Sequence, residues 1–315
     1  MNSQLQPHLS AAKRQLPFDS VVLLLQGGGA LGAYQGGVYE ALAEADIHPN
    51  WIAGISIGAI NAAIIAGNPP NSRVDRLREF WMQVTSGAPW SGNPFVDLAR
   101  SDDARNLLNQ MNAGLAAAFG ATGFFSARTI MPWLQPGGTM AATSFYDTRH
   151  LKQTLERLVD FDRLNAGMTR FSAGAVNVRT GNFIYFDTST HKITPEHVMA
   201  SGALPPGFPA VEIDGEHYWD GGLVSNTPLQ WVIESNPRRE DTLAFQVDLW
   251  SSQGALPRNL ADVTTRHKEI QFSSRTRAST GQFKSVHRVQ RALAALLRRL
   301  PADLEENDDL KLLKS

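Results

Sequence analysis

The chain has 315 residues, 43% of them apolar and 19% charged, with a formal net charge of −1 and no cysteine. This is a globular composition, long enough for one large domain or two small ones. It excludes disulfides, thiolate metal sites and a cysteine nucleophile, and the near-neutral charge speaks against a nucleic-acid partner.

Residues 1–19 are polar and read as a flexible N-terminal segment; no long apolar run with a small-residue cleavage site marks a signal peptide. "SVVLLLQ", from Ser20, reads as a fully buried strand, and "ALGAYQGGVYEALAEA" as the helix after it. "WIAGIS" is a second strand and "IGAINAAIIAG" its helix. The apolar stretch 51–67 is interrupted by Ser56, Asn61 and glycines, and a membrane span wants about 20 mostly large apolar residues. A cytoplasmic protein is therefore expected. Amphipathic helices follow over 72–85 and 101–119, each opening on a serine with an acidic residue close behind. Residues 120–146, rich in Gly, Phe, Pro and Met, read as a long loop or lid. A helix over 147–160, hairpins over 170–188 and 211–220, and a buried strand over 242–250 complete the pattern. Strand–helix alternation of this kind points to a parallel sheet covered on both faces.

The character changes near residue 250. Between Arg266 and Arg299 nine Lys or Arg stand against Glu269 alone, and the last 16 residues reverse the balance with five acids against two lysines. The expected organisation is a segment 1–19, a catalytic domain 20–250 and a helical, basic extension 251–315. In 283–300, Val286, Val289, Leu293, Leu296, Leu297 and Leu300 recur at helical spacing, with Lys284, Arg288, Arg291 and Arg298 largely opposite. Two readings stay open: a terminal helix docking its leucine face on the core, or a helix lying on an anionic membrane surface.

Six glycines lie within Gly27–Gly37, directly after an apolar strand. A backbone that bare means that something approaches the main chain closely, either a nucleotide phosphate or an oxyanion. Gly27, Gly29 and Gly32 satisfy the dinucleotide fingerprint, but the acidic residue it requires at the end of the next strand is missing; Asp46 precedes that strand. The oxyanion reading needs a nucleophile, and Gly54-Ile55-Ser56-Ile57-Gly58 supplies one. A serine on a sharp strand-to-helix turn needs neighbours without side chains, and the helix it opens favours negative charge at the site. None of the eight histidines sits where a triad would keep its base; His217 comes nearest. Asp220, followed by Gly221 and Gly222, is the better candidate, a carboxylate able to take the serine proton directly.

"GGGALGAYQGGVYEAL", "GISIGAINAA" and "DGGLVSNTP", in that order, resemble the three signature blocks of the patatin-like phospholipase family, and "MASGALPPGFPAV" resembles the block preceding its DGG turn. The resemblance spans roughly residues 20–250. It implies a three-layer α/β/α sandwich with a mainly parallel central sheet. It further implies a Ser56–Asp220 dyad without histidine, an oxyanion hole from Gly27, Gly28 and Gly29, an elbow framed by Gly54 and Gly58, and a DGG turn held by Gly221, Gly222, Asn226 and Pro228. Many members carry arginine where this sequence has Leu31 or Gly32; the oxyanion donors are backbone groups, so none is lost. No metal or cofactor is implied. The activity implied is hydrolysis of fatty-acyl esters of lipids, with Phe124, Phe125, Met131, Trp133 and Met140 as candidate acyl-chain contacts. Acyl transfer on the same dyad, or a lipid-binding regulatory protein with a vestigial site, stand as alternatives, and contact with a membrane is expected to be peripheral at most.

Overall fold

The computed structural model describes residues 16–86, 120–235 and 241–299. The first 15 residues, the helix expected over 101–119 and the acidic tail from 303 lie outside the described residues. The chain divides into two compact units, Met1–Leu249 and Trp250–Ser315.

In the first unit, β1 (Ser20–Leu25) leads through a short 3-10 turn, Gly29–Gly32, into α1 (Ala33–Glu44). Then come β2 (Trp51–Ile55), α2 (Ile57–Ala66) and α3 (Arg73–Ser86). The stretch from 120, expected as an irregular loop, instead begins and ends in a small antiparallel sheet of β3 (Gly120–Ala121), β4 (Phe125–Ala127) and β5 (Tyr146–Asp147). What organises it is aromatic packing: Phe124, Phe125, Tyr146 and Phe208 form one cluster, with Phe125 and Tyr146 rings 4.8 Å apart. Two helices follow, α4 (Arg149–Leu158) and α5 (Phe161–Asn165), then the hairpin of β6 (Arg170–Asn177) and β7 (Phe183–Asp187) and the helix α6 (Pro195–Ser201). A second hairpin, β8 (Val211–Ile213) and β9 (Glu216–Asp220), precedes α7 (Leu229–Glu234) and β10 (Thr242–Val247).

The main sheet runs β10-β1-β2-β6-β9-β8, with β7 also on β6. Its four strands from β10 to β6 are parallel and the two hairpins add antiparallel strands beyond them. Alternation along β1 and β2 decides the layers. Leu23, Leu25 and Ile52 turn to one face, onto Tyr39, Phe80 and the apolar side chains of α2; Val22, Leu24, Trp51 and Ala53 turn to the other, onto Val232 of α7. Both faces being covered, these strands read as unbroken apolar runs. The result is a three-layer α/β/α sandwich around a mixed, mainly parallel sheet. Helix α2 is buried at all ten positions, a central element with no solvent face.

The register on β6 is what makes a site. Its one side pairs with β7 over Ser172–Val176. On the other side β2 pairs only as far as Ile55 opposite Gly174, and β9 takes over at the next residue, with Asp220 opposite Ala175. Two strands of opposite direction therefore end against each other on one edge of β6, and their tips are Ser56 and Asp220.

A buried polar knot fastens β6 and β7 to α7. Asp187, fully buried, accepts from both Arg170 and Ser172, from the Ser189 N–H and hydroxyl, and from the Trp231 indole. Burial alone would raise its carboxyl, but the bonds from Arg170, Ser172 and Ser189 bring it below the ordinary value. That stabilisation is present at neutral pH and is lost as pH falls through the folded value.

The second unit is built on one long helix, α8 (Leu260–Leu297), capped by the Asn259 side chain, which accepts from the Asp262 N–H at 2.8 Å. Val286, Val289 and Leu296 are exposed along it. Among the described residues no helix is long and apolar enough to cross a membrane.

Removing the Asp187 carboxylate leaves a guanidinium and two hydroxyls without their acceptor. Asp187→Ala is expected to lower the unfolding free energy in urea at pH 7 by about 3–5 kcal/mol; a loss under about 1 kcal/mol would contradict this role.

Candidate active site

Ser56 follows β2 directly and opens α2. It is the one residue between Trp51 and Ala66 that is not buried. Its backbone has φ 57° and ψ −125°, a left-handed conformation that a serine adopts only where its surroundings force it. The forcing is visible on both sides. A Cβ on Gly54 would lie 2.3 Å from the Gly58 carbonyl, and one on Gly58 would lie 2.2 Å from the Leu25 carbonyl of the neighbouring strand. The turn closes because both positions lack side chains. A third restraint comes from Ser201, wholly buried at the end of α6, whose hydroxyl accepts from the Ser56 N–H at 3.0 Å and donates to the Gly174 carbonyl at 2.7 Å.

Asp220, at the end of β9, is 2% exposed. The Ser56 side chain lies close enough to act on its carboxylate, and the Gly222 N–H donates to Oδ1 at 2.7 Å within the short 3-10 turn Gly221–Leu223. Burial pushes the Asp220 carboxyl up to about 6; the nearby Ser56 hydroxyl and the Gly222 N–H act in the opposite direction and only partly offset it. Among the described residues no cation is paired with it.

The glycine turn after β1 meets the same place. A Cβ on Gly27 would lie 3.1 Å from the Ser56 Cβ and 2.4 Å from Asn226 Oδ1, so backbone and nucleophile candidate are in contact. Asn226 ties the two loops together: its Nδ2 donates to the Gly27 carbonyl at 2.9 Å, and the Gly27 N–H donates to the Asn226 carbonyl at 3.3 Å. Gly27 therefore differs from its two neighbours, because its N–H already closes the junction. The N–H groups of Gly28 and Gly29 have no acceptor among the described residues. Pro228 stands directly before α7, at its N-cap.

Behind the turn lies a buried chain of side-chain amides. Gln35 donates to the Gln26 carbonyl at 2.7 Å, and Asn61 donates to the Gly32 carbonyl at 3.0 Å and to Gln35 at 2.9 Å. The Trp81 indole in turn donates to Asn61. Two carbonyls of the glycine-rich segment are thus held inward on α1 and α2. This support, like Ser201, escaped the sequence reading. The available signal was a lone amide on each of two otherwise apolar helix faces, and a serine inside a small-residue run.

Other residues singled out from the sequence fall elsewhere. His217 is exposed on the β8–β9 hairpin. Of the proposed acyl contacts, Phe124 is gathered with Leu151, Met199, Gly202, Ala203 and Phe208, next to Ser201 in the chain, with no room left among them for a water molecule. Phe125 belongs to the aromatic cluster, while Met131, Trp133 and Met140 are exposed.

A serine elbow between a parallel strand and a central helix, facing a carboxylate and a glycine turn, defines the class: an α/β protein with hydrolase-like architecture. The patatin-like phospholipase model matches residues 23–233, and a second family model, described as patatin phospholipase, matches 270–315. The chain belongs to the patatin-like phospholipase family. Among solved structures it is similar to VipD from Legionella pneumophila, at 17% identity and a TM-score of 0.39 over 73% of this chain and 50% of that one. It is also similar to the type III effector protein ExoU, at 16% identity and a TM-score of 0.27 over 84% of this chain and 53% of that one. The chain spans about half the length of both. No curated protein matches it.

Ser201→Ala deletes both hydrogen bonds at a wholly buried position. It is expected to lower stability by about 1–3 kcal/mol in a denaturant titration. A variant as stable as the parent would mean that the elbow does not depend on this hydroxyl.

Proposed function

We propose that the protein is a serine acyl hydrolase that cleaves fatty-acyl ester bonds of lipids, phospholipids among them, through an acyl-enzyme on Ser56. The observation that carries this reading is a buried carboxylate, paired with no cation among the described residues, at the strand end that meets the Ser56 elbow. Membership in the patatin-like phospholipase family supports a lipid as the substrate.

In this mechanism Ser56 Oγ attacks the ester carbonyl while its proton passes to Asp220. The carbonyl oxygen becomes an oxyanion, for which the N–H groups of Gly28 and Gly29, without an acceptor among the described residues, and the N-terminus of α2 are the candidate donors; one such donor is worth about 3 kcal/mol of barrier. Asp220 returns the proton to the departing alcohol. Water, deprotonated by the same carboxylate, then attacks the acyl-enzyme and releases the fatty acid. A base whose carboxyl sits near 6 is well matched to this work, being ionised at neutral pH and yet a better proton acceptor than an ordinary aspartate. Ser56 is pre-set by its backbone at the turn that opens α2.

The second unit carries a contact of its own. Along α8, Lys284, Arg288 and Arg291 accompany the exposed Val286, Val289 and Leu296. We propose that this helix draws the protein to anionic headgroups at about 1 kcal/mol per basic residue near the surface, as a peripheral contact of a cytoplasmic protein. Stronger sedimentation with anionic than with phosphatidylcholine vesicles at low salt, a difference that disappears at high salt, is the expected result; equal sedimentation with both at low salt would remove the proposal.

Ser56→Ala is expected to fold like the parent and to lose turnover of p-nitrophenyl acyl esters by about a thousandfold or more. In the parent, kcat/KM should climb with pH and level off above about 6, because the base must be ionised. Retained turnover in the variant, or a flat profile across pH 5–7 in the parent, would overturn the assignment.

A further inference from the structure

Residues 129–145 form a run of 17 without one charged side chain, in a chain that is 19% charged. Its ends are pinned. Ala127 pairs with Tyr146 across the β4–β5 ladder, the Arg128 N–H donates to the Phe145 carbonyl, and the Arg128 guanidinium turns inward onto the Ser144 carbonyl and hydroxyl, 3.8 Å from Asp147. The nearest cation is thereby withdrawn from the loop surface. Between the pins two 3-10 turns, Pro132–Leu134 and Met140–Ala142, lie side by side. Hydrogen bonds within each turn hold their backbones. The apolar members point outward: Trp133 is 70% and Leu134 71% exposed, and Ile130, Met131, Met140 and Phe145 are exposed with them. Soluble proteins rarely present so many large apolar side chains on one segment without a partner.

The loop is also continuous with the candidate active site. Phe145 and Tyr146 N–H groups donate to the carbonyls of Pro206 and Gly207, the Asp220 N–H donates to the Ala203 carbonyl, and Ser201 holds the Ser56 N–H. The single segment 201–207 therefore links elbow, carboxylate and loop.

We propose that residues 130–145 insert into the surface of a lipid layer and seat the Ser56 elbow at it. A bilayer interface is the occupant that the surface chemistry selects. A tryptophan beside Leu, Ile and Met suits the boundary between headgroups and acyl chains. The absence of carboxylates leaves nothing for anionic headgroups to repel, and the absence of exposed cations makes the insertion independent of headgroup charge. The inference rests on the lipid-hydrolase reading for its purpose, not for its test.

The test uses the full chain carrying Ser56→Ala, so that vesicles stay intact whatever the chemistry, and phosphatidylcholine vesicles in about 1 M salt, where charge attraction is screened beyond about 3 Å. The protein is expected to sediment with the vesicles. Adding Trp133→Ser and Leu134→Ser should weaken partitioning about tenfold or more, and the separate pair Ile130→Ser and Met140→Ser should do the same. With Ser56 restored, a variant carrying Ile130→Ser and Leu134→Ser, neither of them a candidate acyl contact, should keep the parent's turnover of a soluble short-chain ester while losing turnover of vesicle lipid. Equal sedimentation of parent and both loop variants, no sedimentation of any, or a dimer that the loop variants dissolve would each overturn the proposal. Loss of soluble-ester turnover in the Ser56→Ala parent bears only on the catalytic reading.

Discussion

Everything at the site depends on where β2 stops along β6. Ile55 is the last residue of β2 to pair, opposite Gly174, and Asp220 pairs with Ala175. One residue of register on a neighbouring strand thus separates the ends of two chain segments that lie 164 positions apart in sequence. A shift of one residue in either strand would turn every side chain to the opposite face and carry the hydroxyl or the carboxylate out of the site. Gly54 forbids that shift in β2, because moving Ala53 or Ile55 into its place would bring a Cβ to 2.3 Å from the Gly58 carbonyl.

The site holds two unfavourable features at strand ends that meet on β6. Ser56 occupies a backbone conformation that costs on the order of 1–3 kcal/mol. Keeping Asp220 ionised at neutral pH costs on the order of 3 kcal/mol more, given a carboxyl raised from 3.8 to about 6. The surroundings over-determine both. Gly54 and Gly58 admit only the tight turn, Ser201 fixes its N–H, and the Asn226 bridge locks the glycine turn against the DGG loop. The sum is a hydroxyl whose natural acceptor is a poorly solvated base, the arrangement that the proposed acyl transfer requires.

Much of this was legible in the sequence because it follows from local rules. Unbroken apolar runs mark strands buried on two faces, and glycines at fixed offsets around a serine mark a turn with no room for side chains. The hairpin at Thr180-Gly181-Asn182 was readable for the same reason. What resisted reading depends on distant partners. Ser201 looks like one more small residue until the fold brings it 145 positions back, to the Ser56 N–H. Gln35 and Asn61 are polar residues on apolar helices, and only the packing of α1 against α2 gives them carbonyls to hold. The segment from 120 was read as irregular because aromatic clustering, not strand periodicity, decides its ends. Gly27 was grouped with Gly28 and Gly29 because three identical residues carry no sign of which N–H the Asn226 carbonyl would claim.

The most direct measurement of the proposed coupling between hydroxyl and carboxylate needs no substrate. Reacting the protein with a fluorophosphonate and mapping the adduct by peptide mass spectrometry, across pH 5–8, follows the nucleophilicity of each serine separately. The account predicts one adduct, on Ser56, forming faster as pH rises through about 6, and a rate reduced throughout that range when Asp220 is replaced by Asn. An adduct on another serine, or a Ser56 rate indifferent to the Asp220→Asn change, would contradict it.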